Sequence, residues 1–177
     1  MAKVAFSKFS FNKKIKEDIQ TTTIEEQTIE VKQYLPVEEK LKIVENVLNQ
    51  CVESENGYYN SLKMNIFLAL EMVFNYSNIT FTDKQKENSY KLYDILQSNG
   101  LLGIIIGLIP ESEFYYLRNI VKEMADAIYT YRNSAVGIME AISRDYSDLK
   151  LDAQEINKEI ANPENLSLLR DVLTKMG

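Results

Sequence analysis

The chain has 177 residues, of which 45% are hydrophobic and 26% charged, and its net charge is −6. It contains no histidine and a single cysteine, which excludes a Ser–His or Cys–His catalytic pair within the chain, an internal disulfide and a thiolate cage for zinc. Its acidic balance repels phosphate and argues against a general nucleic-acid binder.

The length suits a single domain over 1–177, made of a basic arm and β-hairpin over 1–35 and a helical bundle over 36–177. Only six glycines and three prolines are present, which favours long elements over many turns. Charge is uneven. Residues 1–16 hold Lys3, Lys8, Lys13, Lys14 and Lys16 and no acid, so the remaining residues hold 15 basic and all 26 acidic side chains. This arm suits an acidic partner, a phosphate backbone, the protein's own acidic body, or a strand that pairs with another chain. It lacks the continuous apolar core of a secretory signal.

In chain order, Ile19 to Ile24 is threonine-rich, and Thr28 to Tyr34 alternates with Ile29, Val31 and Gln33 on one face. Two such runs around Glu25-Glu26-Gln27 predict a hairpin without the Asn-Gly or Asp-Gly that would name its turn. A hairpin alone is marginal in water, so it must lean on a helix or another strand. Pro36 followed by Glu38 and Glu39 opens a helix. Its apolar positions run through Leu41, Val44, Val47, Leu48, Cys51 and Val52, which makes Cys51 a buried, inert thiol. A second helix, from near Tyr59 to Tyr76, is apolar over more than half its girth and is the expected central helix.

Thr82 and Asp83 cap a helix carrying Tyr90, Leu92, Tyr93, Ile95 and Leu96, which Asn99-Gly100 stops. Leu101 to Ile109 is the longest apolar run, nine residues. A bilayer span needs about twenty, so a short buried helix is expected and no membrane. Pro110 then resets the backbone. From Phe114 the apolar series Leu117, Val121, Met124, Ile128, Tyr131, Ala135, Ile138, Ile142 follows a 3–4 spacing, the seam of a helix that packs on another helix. A helix from Glu111 to Tyr146 would be about 54 Å long, against a domain diameter of roughly 40 Å. It must therefore overhang or bend, and Asn133, Ser134 and Gly137 offer the bend. Two further helices are expected, over 152–161 and 166–173.

Leu117, Met124, Ile128 and Tyr131 on that seam are the candidate protein-binding residues. The chain has eleven tyrosines, and the adjacent pair Tyr115 and Tyr116 joins the candidates because tyrosine buries area while its hydroxyl stays hydrogen-bonded. Asp152, Glu155 and Glu159 share one helical face, which reads as a solvated surface rather than a calcium loop. Gly100, Gly103 and Gly107 lack the Gly-Lys-Ser/Thr of a phosphate cradle. No catalytic, metal or cofactor residue emerges.

The lysine-rich start, the hairpin with Gln27-Thr28-Ile29-Glu30-Val31-Lys32, and Tyr34-Leu35-Pro36 opening the first of several acidic helices together give a layout that resembles the tail assembly chaperones of tailed bacteriophages infecting Gram-positive hosts. The resemblance implies a cofactor-free protein of the host cytoplasm, or of the virion, that coats helical segments of a tape measure protein until tail tube subunits polymerise around it. The expected fold class is α+β, mostly α: an N-terminal β-hairpin on a bundle of five to seven helices, one of them long. The expected function is non-enzymatic protein binding, with homo-oligomers through the same seam. The rival readings are a structural virion component such as a head–tail connector or capsid-associated protein, a small carboxylate enzyme, and a phage-encoded inhibitor of a host protein.

Overall fold

A computed structural model describes residue 5 and residues 18–54 and 56–148. The basic arm and the expected helices over 152–161 and 166–173 lie outside the described residues. Within them the fold is α+β and mostly α: a two-stranded antiparallel hairpin followed by seven helices. Packing divides the chain at Asn133, with one compact unit ending there and a second opening at Ser134.

Strand β1 (Ile19–Ile24) pairs with β2 (Gln27–Lys32) in the register Ile24↔Gln27, Thr22↔Ile29, Gln20↔Val31. Glu25 and Glu26 form the turn at φ 48° and 65°. Two consecutive positive φ values define a type I′ turn, which matches the strand twist. Ile29 and Val31 are buried, as the alternation predicts. The hairpin leans on helices. Val31 bridges to Ser77, and Asn78 seals the outer edge of β2: its N–H donates to the Glu30 carbonyl at 3.1 Å, its Oδ1 accepts from the Glu30 N–H at 3.1 Å, and its Nδ2 donates to the Thr28 carbonyl at 3.2 Å. Gln33 Nε2 donates to the carbonyl of Leu108 at 2.9 Å.

Helix α1 (Val37–Cys51) follows Pro36 and buries Lys40, Ile43, Val44, Val47, Leu48 and Cys51. That series repeats by three and four along one face. Helix α2 (Ser61–Tyr76) begins two residues after the expected Tyr59, because Asn60 Oδ1 caps it by accepting from the N–H groups of Leu62 and Lys63, an arrangement open to a residue of extended backbone only. α2 is the central helix and packs on α1, on α4 (Ser89–Ser98) and on α5 (Leu101–Leu108). The helix expected from Thr82 onward is broken. α3 (Asp83–Glu87) carries the Thr82–Gln85 capping box and ends at Asn88, whose φ −100° and ψ 57° leave the helical region before α4 starts. α5 is helical as expected; Leu102 and Ile105 are buried while Ile104 is exposed.

The expected long helix is two helices. α6 (Glu111–Arg132) and α7 (Ala135–Asp148) are separated by Asn133 and Ser134. Side chains there compete for the backbone. Asn133 Nδ2 donates to the carbonyls of Tyr129 and Asn56 at 2.8 and 2.9 Å, and Ser134 Oγ accepts from the Gly137 N–H at 3.1 Å. Gly57 lies against the end of α6 at φ 71°, where a Cβ would stand 3.0 Å from Arg132 Cδ and 3.1 Å from the Ile128 carbonyl oxygen. Both its conformation and its close approach require glycine. In the unit ending at Asn133, one core runs from Ile29, Val31 and Leu35 of the hairpin region to Leu117, Val121 and Ala125 of α6.

Candidate protein-binding site

The face of α6 toward the core carries Leu117, Val121 and Ala125, all buried, with Phe114 and Ile128 packed partly against it. This is a 3.6-residue period. A 3.5-residue seam drifts by about 20° per heptad on a straight helix, so Ala125 occupies the place that the heptad pattern assigned to Met124. The candidate residues therefore separate. Leu117 is fully buried and is a core residue, not a contact; the heptad reading is corrected there. Ile128 is half-buried on the core side. Met124, Tyr131 and Tyr116 are 41%, 50% and 51% exposed. Tyr115, equally exposed, lies on the opposite side of the helix, by the exposed Tyr129 and the ion pair of Lys122 with Asp126 at 2.6 Å.

At about 100° per residue, Tyr116, Ile120, Met124, Ala127 and Tyr131 fall in a single stripe along one shoulder of the buried face. Ile120 is half-buried against the core and Ala127 is exposed. Neither was a candidate from the sequence, although both follow Tyr116 at helical spacing. In the second unit, α7 exposes Val136, Ile138, Met139 and Ile142, with Met139 73% exposed.

A buried polar cluster fixes the start of α6. Lys40 Nζ, on the buried face of α1, donates to Glu113 Oε1 at 2.8 Å. The hydroxyl of Tyr76, at the end of α2, donates to Glu113 Oε2 at 2.7 Å. The Lys40 ammonium lies 4.0 Å from the ring centroid of Tyr34 and 5.4 Å from that of Tyr116. Burial, then the Glu113 carboxylate, push the Tyr76 phenol far above its usual range. A charged hydrogen-bonded pair with a cation over aromatic faces holds geometry tightly. Three helices thus meet at one carboxylate, which sets the position of Tyr116 at the head of the stripe. Lys40 stands three and four residues before the buried Ile43 and Val44, the signal that could have revealed it as a buried lysine.

A cleft of ≈ 490 Å³ is lined by Glu71, Phe67 and Phe74. Asn46 and Asn75 donate to the two carboxylate oxygens of Glu71 at 3.3 and 3.0 Å. Burial pushes the Glu71 carboxyl up, and these two amides oppose the shift. The arrangement ties α1 to α2. Across α6 from the stripe, burial and a hydrogen bond to Asp126 raise the Tyr59 phenol. Burial likewise raises the Cys51 thiol, which suits the inert role expected of it.

Asp152, Glu155 and Glu159 lie outside the described residues. Among the described residues no three His, Cys, Asp or Glu side chains gather as for a metal ion, and no helix is long and apolar enough to cross a membrane. Comparison with known proteins found no matching family model, curated protein or solved structure.

Proposed function

We propose that this protein is a non-enzymatic assembly chaperone of a tailed bacteriophage, acting in the host cytoplasm, that captures helical segments of a tape measure protein along the Tyr116–Tyr131 shoulder of α6. The observation that carries the reading is the half-exposed stripe Tyr116, Ile120, Met124, Ala127, Tyr131. Its length of about 22 Å, four helical turns, suits a client helix presenting apolar residues at i, i+4 and i+7. Two tyrosines and a methionine form such a surface well. The aromatic rings bury area at little entropic cost, and the flexible thioether adapts to different clients. The net charge of −6 supports solubility of the complex. The layout of hairpin, Tyr34-Leu35-Pro36 and acidic helices supports the phage assignment through its resemblance to tail assembly chaperones.

Co-expression with a tape measure segment tests the reading. The segment stays in the soluble fraction with the wild-type protein and returns to the pellet with Met124→Glu. A segment held equally well by both proteins contradicts it.

A further inference from the structure

The α6 shoulder borders α1. Lys40, in the first turn of α1, donates to Glu113 at the start of α6, and Asn133, at the end of α6, donates to the carbonyl of Asn56 in the loop that follows α1. The two helices therefore run parallel, side by side. At about 100° per residue, Val37 and Leu41 fall on one side of Lys40. Asn46 and Gln50, which line the cleft with residues of α2, fall on the other. On α6 the order is the same. The Asp126 carboxylate accepts from the hydroxyl of Tyr59, just before α2, and lies on one side of the buried Leu117–Val121–Ala125 face, with the shoulder on the other. On both helices an exposed apolar row thus lies on the side turned from α2, along the same seam. Val37 and Leu41 are 60% and 53% exposed, and Leu48, which follows them at helical spacing, is buried.

The edges of this seam are acidic. Glu38 and Glu45 stand three residues before and four after Leu41, and Glu123 stands three after Ile120, so each is a surface neighbour of an apolar member. All three are exposed. Among the described residues none of them forms an ion pair or a side-chain hydrogen bond. Lys40 is buried and already paired with Glu113, and Lys42 lies farther round α1 than either glutamate. Unopposed charge of one sign along both edges repels an acidic partner and attracts a basic one.

We propose that α1 and α6 form one two-walled groove and that its occupant is a basic amphipathic helix. The helix lays an apolar row between Val37 and Leu41 on one wall and Tyr116, Ile120 and Met124 on the other. Its flanking Lys or Arg side chains face Glu38 and Glu45 at one edge and Glu123 at the opposite edge. The proposal rests on the helix-capture reading of α6 and adds to it a second wall and the charge of the client. From Val37 to Leu48 the α1 wall is about 17 Å long, three turns of a docked helix. A helix seated on two walls buries its apolar row from both sides, which supplies affinity, while the acidic edges fix its orientation and speed its encounter.

Two synthetic peptides test this on the full chain. Each carries leucines at i, i+4, i+7 and i+11; one has lysines on both flanks of that row and the other has glutamates. Fluorescence anisotropy shows the lysine-flanked peptide bound by the wild type, more weakly as salt rises, and the glutamate-flanked peptide bound at least ten-fold more weakly. Leu41→Gln, a change without charge at an exposed position, weakens the lysine-flanked peptide about ten-fold. Glu38→Lys combined with Glu45→Lys and Glu123→Lys reverses the order of the two peptides. Equal binding of both peptides by the wild type, a comparison that needs no variant to fold, overturns the charge assignment. Unchanged binding by Leu41→Gln overturns the second wall, and a wild type that binds neither peptide overturns the groove altogether. The capture reading is decided apart from these by the tape measure segment: solubility lost with Met124→Glu but kept with Leu41→Gln leaves capture on α6 alone and contradicts the groove.

Discussion

Lys40 sits where a helix face calls for an apolar residue, and its ammonium is held by Glu113 at 2.8 Å with Tyr76 on the other carboxylate oxygen at 2.7 Å. Removing one member of a buried pair strands the other. Lys40→Met is therefore expected to destabilise the protein by about 3–5 kcal/mol in urea unfolding, and Lys40→Met combined with Glu113→Gln to recover most of that loss. Tyr76 gives a pH signature. Its folded-state phenol is raised above the ordinary tyrosine value of about 10, so at high pH the folded chain binds more protons than the unfolded one, and stability falls as pH rises above 10. The raised Cys51 thiol adds loss of the same sign from the ordinary thiol value of about 9 upward. Tyr76→Phe is expected to flatten the unfolding free energy against pH above 10; a slope unchanged by that substitution would place the titration elsewhere. At this scale the sequence disclosed burial better than partnership. The apolar neighbours of Cys51 foretold its burial. Glu113 stands 73 residues from Lys40 and 37 from Tyr76, separations that no local pattern encodes.

At the scale of elements, strict alternation predicted β2 and its buried Ile29 and Val31, and apolar girth predicted α2. Breaks were harder to read, because Asn88 and Asn133 end helices through backbone geometry and side-chain ties to the main chain, not through glycine or proline. The heptad pattern of α6 failed for a geometric reason: an unsupercoiled helix turns every 3.6 residues, which carries Met124 off the core and brings Ala125 in. The contrast is measurable. Leu117→Ala is expected to cost about 2–5 kcal/mol, as a fully buried leucine does, whereas Met124→Glu on the exposed shoulder is expected to stay within about 0.5 kcal/mol of wild type. Equal losses would mean that the shoulder is core. The hairpin turn offers the opposite sign. Glu25→Asn with Glu26→Gly relieves two left-handed residues and is expected to raise hairpin stability by about 1–2 kcal/mol in thermal unfolding.

For the whole molecule, composition bounded the chemistry through the missing histidine and the single cysteine, and periodicity gave the mostly helical class. The proposed binding stripe was half legible: Tyr116, Met124 and Tyr131 stood among the candidates, but their shared shoulder emerged only once Leu117, Val121 and Ala125 defined which side of α6 faces inward. An acidic, helical protein that leaves such a stripe half-exposed is suited to holding another helix. Calorimetric titration of a tape measure helix into the full chain tests this most directly. The account predicts saturable binding by the wild type and at least ten-fold weaker binding by Met124→Glu. Equal affinity of wild type and Met124→Glu for that helix would contradict it.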